Sequence, residues 1–179
     1  EQNLKYDIAQ VRALRAFAYF YMVRIWGDVP LVTYSYDNGT FPSMPRTDAQ
    51  TVLSYAKAEL LTAIEDLPYQ YGTQTNLYYG SYGAQWQGKL FNKLSAYSVL
   101  AHICAWQGNY AEAETYSAFI IDHASEINAK YTSIADLTSE TGLFYSNASV
   151  KGSRILGFNF AHNDNEATQS GHLEQLTLA

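Results

Sequence analysis

The chain has 179 residues and a formal charge of −6, with 11 Lys and Arg against 17 Asp and Glu. It is long enough for a single domain that buries roughly 70% of its unfolded surface, and it has no basic run to follow a phosphate backbone, which excludes nucleic acid as a partner. Its one cysteine, Cys104, cannot form an internal disulfide, and its place in an apolar helical row makes it a buried, inert thiol.

Residues 1 to 10 lack the charged start and apolar centre of a signal peptide, and no apolar run of about 20 residues is available to span a bilayer. The first predicted helix covers about residues 5–26. Val11, Leu14, Ala18, Tyr21 and Ile25 recur at helical spacing, and a second row of Ala13, Phe17 and Phe20 widens the stripe until it nearly encircles the helix. A helix this apolar is expected to be buried between partners. Gly27, in a left-handed C-cap, and Pro30 are expected to end it. Trp26 reads as a wedge packing the turn onto the helices, with ligand contact as the alternative, and Asp28 as a cap for backbone N–H groups within the turn.

The second helix is predicted at about 48–67, capped by Thr47 with Gln50 reaching back in a capping box and stopped by Pro68. Val52, Ala56, Leu60, Ala63 and Leu67 form its apolar face. Residues 69–91 break all periodicity and read as a long, aromatic-rich loop. A third helix, about 92–107, turns Leu94, Tyr97, Leu100, Ala101 and Cys104 inward and closes at Gly108. Asn109 then caps a fourth, about 110–127, with Glu112 completing a capping box. That helix presents Ala113, Tyr116, Ile120, Ile121 and Ala124, and the small Ala101 and Ala113 allow the pair to approach closely. Beyond it, Tyr131 to Phe144 reads as irregular with a helical turn, Arg154 to Phe160 as a short extended run, and the last twenty residues as polar. The expected fold is all-α: one domain over 1–179 made of tetratricopeptide-like antiparallel hairpins, with a mostly irregular C-terminal part.

The residues offer no catalytic constellation. His102, His123, His162 and His172 lack zinc-ligand spacing, and His102 is expected to be a satisfied interhelical side chain. Glu59, Glu65 and Asp66 share one helix as solvated surface, with no opposing carboxylate across a cleft. The glycines at 80, 83 and 88 lack the Lys-Ser or Lys-Thr pair of a phosphate loop, and there is no G-x-S-x-G elbow. No metal, cofactor or enzymatic activity is expected. The informative excess is aromatic, with 16 Tyr and 3 Trp, because flat rings with a polar edge suit both sugar rings and protein interfaces. Helical tyrosines such as Tyr19, Tyr55, Tyr97 and Tyr116 read as packing residues. The loop aromatics Tyr69, Tyr71, Tyr78, Tyr79, Tyr82 and Trp86 are the candidates for ligand contact, or alternatively pack the loop onto its own helices.

One stretch carries a resemblance. Leu14, Arg15, Ala16, Tyr19, Phe20, Trp26, Gly27, Asp28, Val29, Pro30 and Leu31 resemble the signature segment of the SusD/RagB family, a leucine-arginine-alanine helix with paired aromatics and a glycine-aspartate-valine-proline-leucine turn. Downstream, Met44 to Thr47, Ile64 to Pro68 and the hairpin from Lys93 to Ile121 follow the family's order, so the resemblance covers roughly residues 8 to 160. Near its end Ser153-Arg154 stands where the family carries an acidic residue. The resemblance implies an incomplete chain of a longer outer-membrane lipoprotein, surface-exposed and anchored through an N-terminal lipid upstream of Glu1. Such a protein captures a glycan, or in some members a peptide, and delivers it to a SusC-like TonB-dependent transporter. The alternative is a tetratricopeptide-like scaffold that binds protein and no sugar.

Overall fold

A computed structural model describes residues 1–36, 39, 41–73, 77–80, 88–129, 134 and 155–156. Four α-helices follow in order: α1 (Gln2–Trp26), α2 (Ala49–Asp66), α3 (Lys93–Trp106) and α4 (Tyr110–Asp122), with a 3₁₀ turn at Ala124–Ile127. The described residues form an all-α fold in which Val29 and Thr47 make an isolated antiparallel β-bridge. No described helix is long and apolar enough to cross a membrane.

The main packing partners are α1 with α2 and α3 with α4, and α2 against α3 joins the two pairs. Both pairs run antiparallel, as the partners Tyr19–Tyr55 and Arg15–Glu59 in the first and Tyr97–Phe119 and Cys104–Glu112 in the second require. Ala9, Ala13 and Ala16 of α1 are buried beside Ala56 and Ala63 of α2, and side chains this small let two helix backbones approach closely. Leu53 and Leu60 of α2 share this core with Leu100 and Ile103 of α3. Full burial of each such side chain stabilises the fold by roughly 1.5–3 kcal/mol.

This arrangement corrects the reading of α1. Its inward face is Tyr6, Ala9, Ala13, Ala16, Tyr19, Phe20 and Val23, whereas Val11, Leu14, Ala18, Tyr21 and Ile25 face outward. Both rows are apolar, but only the alanine row admits the close approach that α2 makes. On α2 the expected face of Val52, Ala56, Leu60, Ala63 and Leu67 is fully buried. Glu59 is no solvated surface group: Arg12 Nη1 lies 3.0 Å from Glu59 Oε1, and Arg15 Nη2 pairs with Oε2.

The corner between α1 and α2 explains the signature turn. Gly27 sits at φ 69°, ψ −120°, which is the mirror image of extended backbone and not the expected left-handed helical conformation. Glycine alone adopts it at low cost. The chain reverses there, and Val29 exchanges both backbone hydrogen bonds with Thr47, at 3.2 and 2.9 Å. The Tyr19 hydroxyl then holds the outgoing strand-like segment, donating to the Val32 carbonyl and accepting from the Val32 N–H, each at 2.8 Å. Because Thr47 is committed to the bridge, the cap of α2 moves one residue on, to Asp48, whose carboxylate accepts from the Thr51 N–H at 3.1 Å. Asp28 caps as expected of an aspartate, but at a distance: it accepts the Ala49 N–H at 2.9 Å, at the start of α2. Trp26 is no wedge. It is 59% exposed, because the bridge and the Tyr19 clamp already fasten the turn.

At the start of α3, Asn92 caps with Ser95 in a reciprocal capping box, and at its end Gly108 takes φ 79° as expected. Asn109 caps α4, but the expected capping box is half made. The Asn109 N–H goes to the Cys104 carbonyl, and Glu112 turns instead to the Asn109 side chain and to Lys57 Nζ of α2, the latter at 2.5 Å. Cys104 is fully buried, and burial pushes its thiol pKa up. Two further expectations fail. His102 lies on the exposed side of α3, and Ile121 points outward from α4, a helix with no fully buried residue. The segments Tyr131 to Phe144 and Arg154 to Phe160 lie almost wholly outside the described residues.

Candidate functional site

The loop after α2 returns to the N-terminal end of α1 and builds an aromatic cluster there. Tyr6 of α1 meets the loop's Tyr71 edge-on at 5.4 Å between ring centres, and Tyr78 completes the buried trio. Polar groups fix the trio from below. The Gln10 amide donates to the Tyr71 hydroxyl and to the Phe91 carbonyl and accepts the Phe91 N–H at 2.9 Å, while Tyr71 donates to the same carbonyl at 2.8 Å. Burial, more than any neighbour, raises the pKa of the Tyr71 hydroxyl. A buried amide satisfied on both edges makes this network a rigid base.

Asp7 stands at the rim. Its two carboxylate oxygens accept from the hydroxyls of Tyr78, at 2.5 Å, and of Tyr79. These bonds hold the Asp7 pKa below its ordinary value, Tyr78 contributing most and Tyr79 next. Burial first, and then the Asp7 bond, raises Tyr78, and the Asp7 bond raises Tyr79. Tyr79 is 61% exposed although its hydroxyl is tied down, with backbone φ at 49°. An exposed tyrosine held at its polar end offers a flat, pre-oriented apolar face with little rotamer freedom left to lose.

The loop aromatics thus divide. Tyr71 and Tyr78 are turned inward, in line with the alternative in which the loop packs onto its own helices. Their hydroxyls find Gln10, Phe91 and Asp7. Tyr69 is half-buried, its ring parallel to His123 at 5.9 Å with the Lys93 ammonium 5.5 Å from its centre. Tyr79 is exposed, and Tyr82 and Trp86 lie outside the described residues. Among the helical tyrosines, Tyr19 is buried, and Tyr55, Tyr97 and Tyr116 are half-buried against the core.

Two further aromatic surfaces went unread in the sequence. Tyr34, Tyr36 and Phe41 line up after the signature turn, at 4.9 and 5.2 Å between neighbouring rings, with Tyr36 donating to the Tyr34 hydroxyl. The alternation Tyr34-Ser35-Tyr36 was the available signal. Elsewhere the Arg24 guanidinium lies 5.2–5.5 Å from the ring centres of Phe20, Tyr21 and Trp106, a cation–π cluster joining α1 to α3.

Two antiparallel helical hairpins, each unable to bury its apolar faces alone, define a tetratricopeptide-like α-helical protein. Over its full length the chain is similar to a solved SusD superfamily protein from Bacteroides thetaiotaomicron, at 94% identity and TM-score 0.84. The chain belongs to the SusD superfamily. A SusD-like protein from Bacteroides fragilis shares the fold over 74% of the chain at 20% identity and TM-score 0.59. A laminarin-binding SusD-like protein matches 70% of it at 26% identity and TM-score 0.50. The chain spans 37%, 23% and 24% of these three proteins. No protein-family profile and no curated sequence matches it.

Proposed function

We propose that this chain is part of a cell-surface nutrient-binding protein that captures an oligosaccharide and hands it to a TonB-dependent outer-membrane transporter without cleaving it. The supporting observation is the likeness to a SusD superfamily protein over all 179 residues at 94% identity, joined by the 26% identity to a laminarin-binding relative. Within the described residues, the Tyr79 face held by Asp7 is the element best suited to a sugar ring, since it combines an apolar plane with a fixed polar edge. Lipid anchoring and the transporter partnership belong to the same proposal and rest on family membership.

A glycan array probed with the full-length protein tests it. Retention on a defined class of glycans supports capture. Binding to no glycan, with retained binding to a barrel partner, would make the protein a scaffold and overturn the sugar reading.

A further inference from the structure

Tyr79 carries two structural signs beyond its exposure. It and Gly80 take φ 49° and 70° in succession. Glycine adopts that backbone freely, whereas a bulky residue does so only at a cost, and backbone strain of this kind collects where a side chain is being aimed. The second sign is the charge that does the aiming. Asp7 is half-buried, its oxygens accept from Tyr78 and Tyr79, and its helical neighbours three and four residues away, Asn3, Leu4, Gln10 and Val11, are all uncharged. Among the described residues the ion pairs run from Arg12 and Arg15 to Glu59 and from Lys57 to Glu112, so no cation is paired with Asp7. Its two phenol bonds hold its pKa below the ordinary carboxylate value, and it stays ionised well into acid. The platform is therefore a flat apolar face bordered by a negative charge that nothing neutralises among the described residues.

We propose that Asp7 makes this platform selective for uncharged oligosaccharides over those that carry uronic acid or sulfate groups. The selectivity rests on the sugar-capture reading above. An ionised carboxylate offers about four lone-pair positions and no proton. Tyr78 and Tyr79 each occupy one, and the rest remain for hydroxyls. A sugar ring lying on the Tyr79 face is about as wide as the phenol, so its rim hydroxyls come over the polar edge that Asp7 borders and can donate to it. A ligand carboxylate or sulfate at the same rim has no proton to give. It meets a like charge well inside the screening length of physiological salt, about 8 Å, where repulsion is felt most.

A glycan array with neutral, uronic-acid and sulfated members, probed with the full-length protein, reads the selectivity directly. Retention of neutral glycans, with the acidic ones held far more weakly, is expected. Calorimetry then compares the best-retained neutral glycan with its counterpart oxidised at the sixth carbon to a carboxylate. The oxidised form is expected to bind about tenfold more weakly at low salt, and the gap is expected to narrow as salt is added, because charge repulsion is screened and hydroxyl contacts are not. Asp7→Asn, which keeps the shape and one acceptor oxygen, is expected to close most of the gap while weakening neutral binding about threefold. Equal or preferred retention of acidic glycans overturns the selectivity while leaving capture intact, and so does a gap that persists unchanged in Asp7→Asn. Binding to no glycan at all overturns capture itself and the selectivity with it.

Discussion

Asp28, one residue past the glycine that ends α1, accepts the backbone N–H of Ala49 at 2.9 Å, so a single carboxylate joins the end of one helix to the start of the next. Together with the Val29–Thr47 bridge and the Tyr19–Val32 clamp, it turns the signature segment into a rigid corner. The signature is therefore chiefly a folding device. It sets the angle at which α1 and α2 pack, and the loop residues after α2 inherit their position from that angle.

Replacing Asp28 with alanine leaves an N–H at the first turn of α2 without its carboxylate. Equilibrium denaturation of the full-length protein is expected to show a loss of about 1 kcal/mol, the usual size of a lost helix cap. Asp28→Asn, which keeps a side-chain oxygen, is expected to lose less.

Gly27→Ala tests the backbone instead. Nothing lies within 4 Å of a β-carbon built there, so any cost arises from the conformation at φ 69°, ψ −120° and not from a clash. A loss of about 1–3 kcal/mol is expected, measured the same way.

Glu59 bridges two arginines with a side chain only 12% exposed, while Arg12 and Arg15 remain about one-third open. Solvent screens such pairs, so a double-mutant cycle of Arg15→Ala with Glu59→Ala is expected to give a coupling of about 1 kcal/mol. Because Glu59 serves both partners, Glu59→Ala is expected to destabilise more than Arg12→Ala alone.

The Asp7 clamp predicts a pH dependence. A carboxylate whose pKa is lowered in the folded state contributes stability that is complete above its unfolded pKa, near 3.9, and is lost as pH falls through the lower folded value. Near-ultraviolet circular dichroism of the tyrosines is therefore expected to change as pH drops below about 4, and Asp7→Asn is expected to lack that component. At the alkaline end, Tyr71, Tyr78 and Tyr79 are expected to ionise above the ordinary tyrosine range near 10, read by tyrosinate absorbance.

Much of the fold could be read where one physical preference dominated. The apolar face of α2 recurred at helical spacing, Gly108 was the residue best suited to a positive φ between α3 and α4, and Asn109 preceded a helix with no competing cap. Reading failed where two choices were locally equal. Both rows of α1 are apolar, and the tighter packing of alanines against α2 decides between them only in three dimensions. Thr47 and Asp48 are both good caps, and a bridge to Val29, distant in sequence, removes the first. The candidate site was legible as a class and not as individuals: tyrosine excess in a loop pointed to the region, but Tyr71 is drawn inward by Gln10 and Phe91, residues 61 and 20 positions away. Asp7, which orients the exposed Tyr79, carried no local signal at all.

If the Tyr79 face contacts sugar, Tyr79→Ala in the full-length protein is expected to weaken glycan affinity by about tenfold, the equivalent of about 1.4 kcal/mol for a lost aromatic platform, without changing the denaturation midpoint appreciably. Tyr79→Phe keeps the ring but loses the Asp7 bond, and is expected to fall between.

The most direct measurement is titration calorimetry of the full-length protein against soluble oligosaccharides, laminarin-derived ones first, with a parallel assay for newly released reducing ends. Capture without cleavage predicts saturable heat with at least one glycan and no accumulation of reducing ends over hours. Absence of binding to every oligosaccharide, or steady release of shorter sugars, would contradict it.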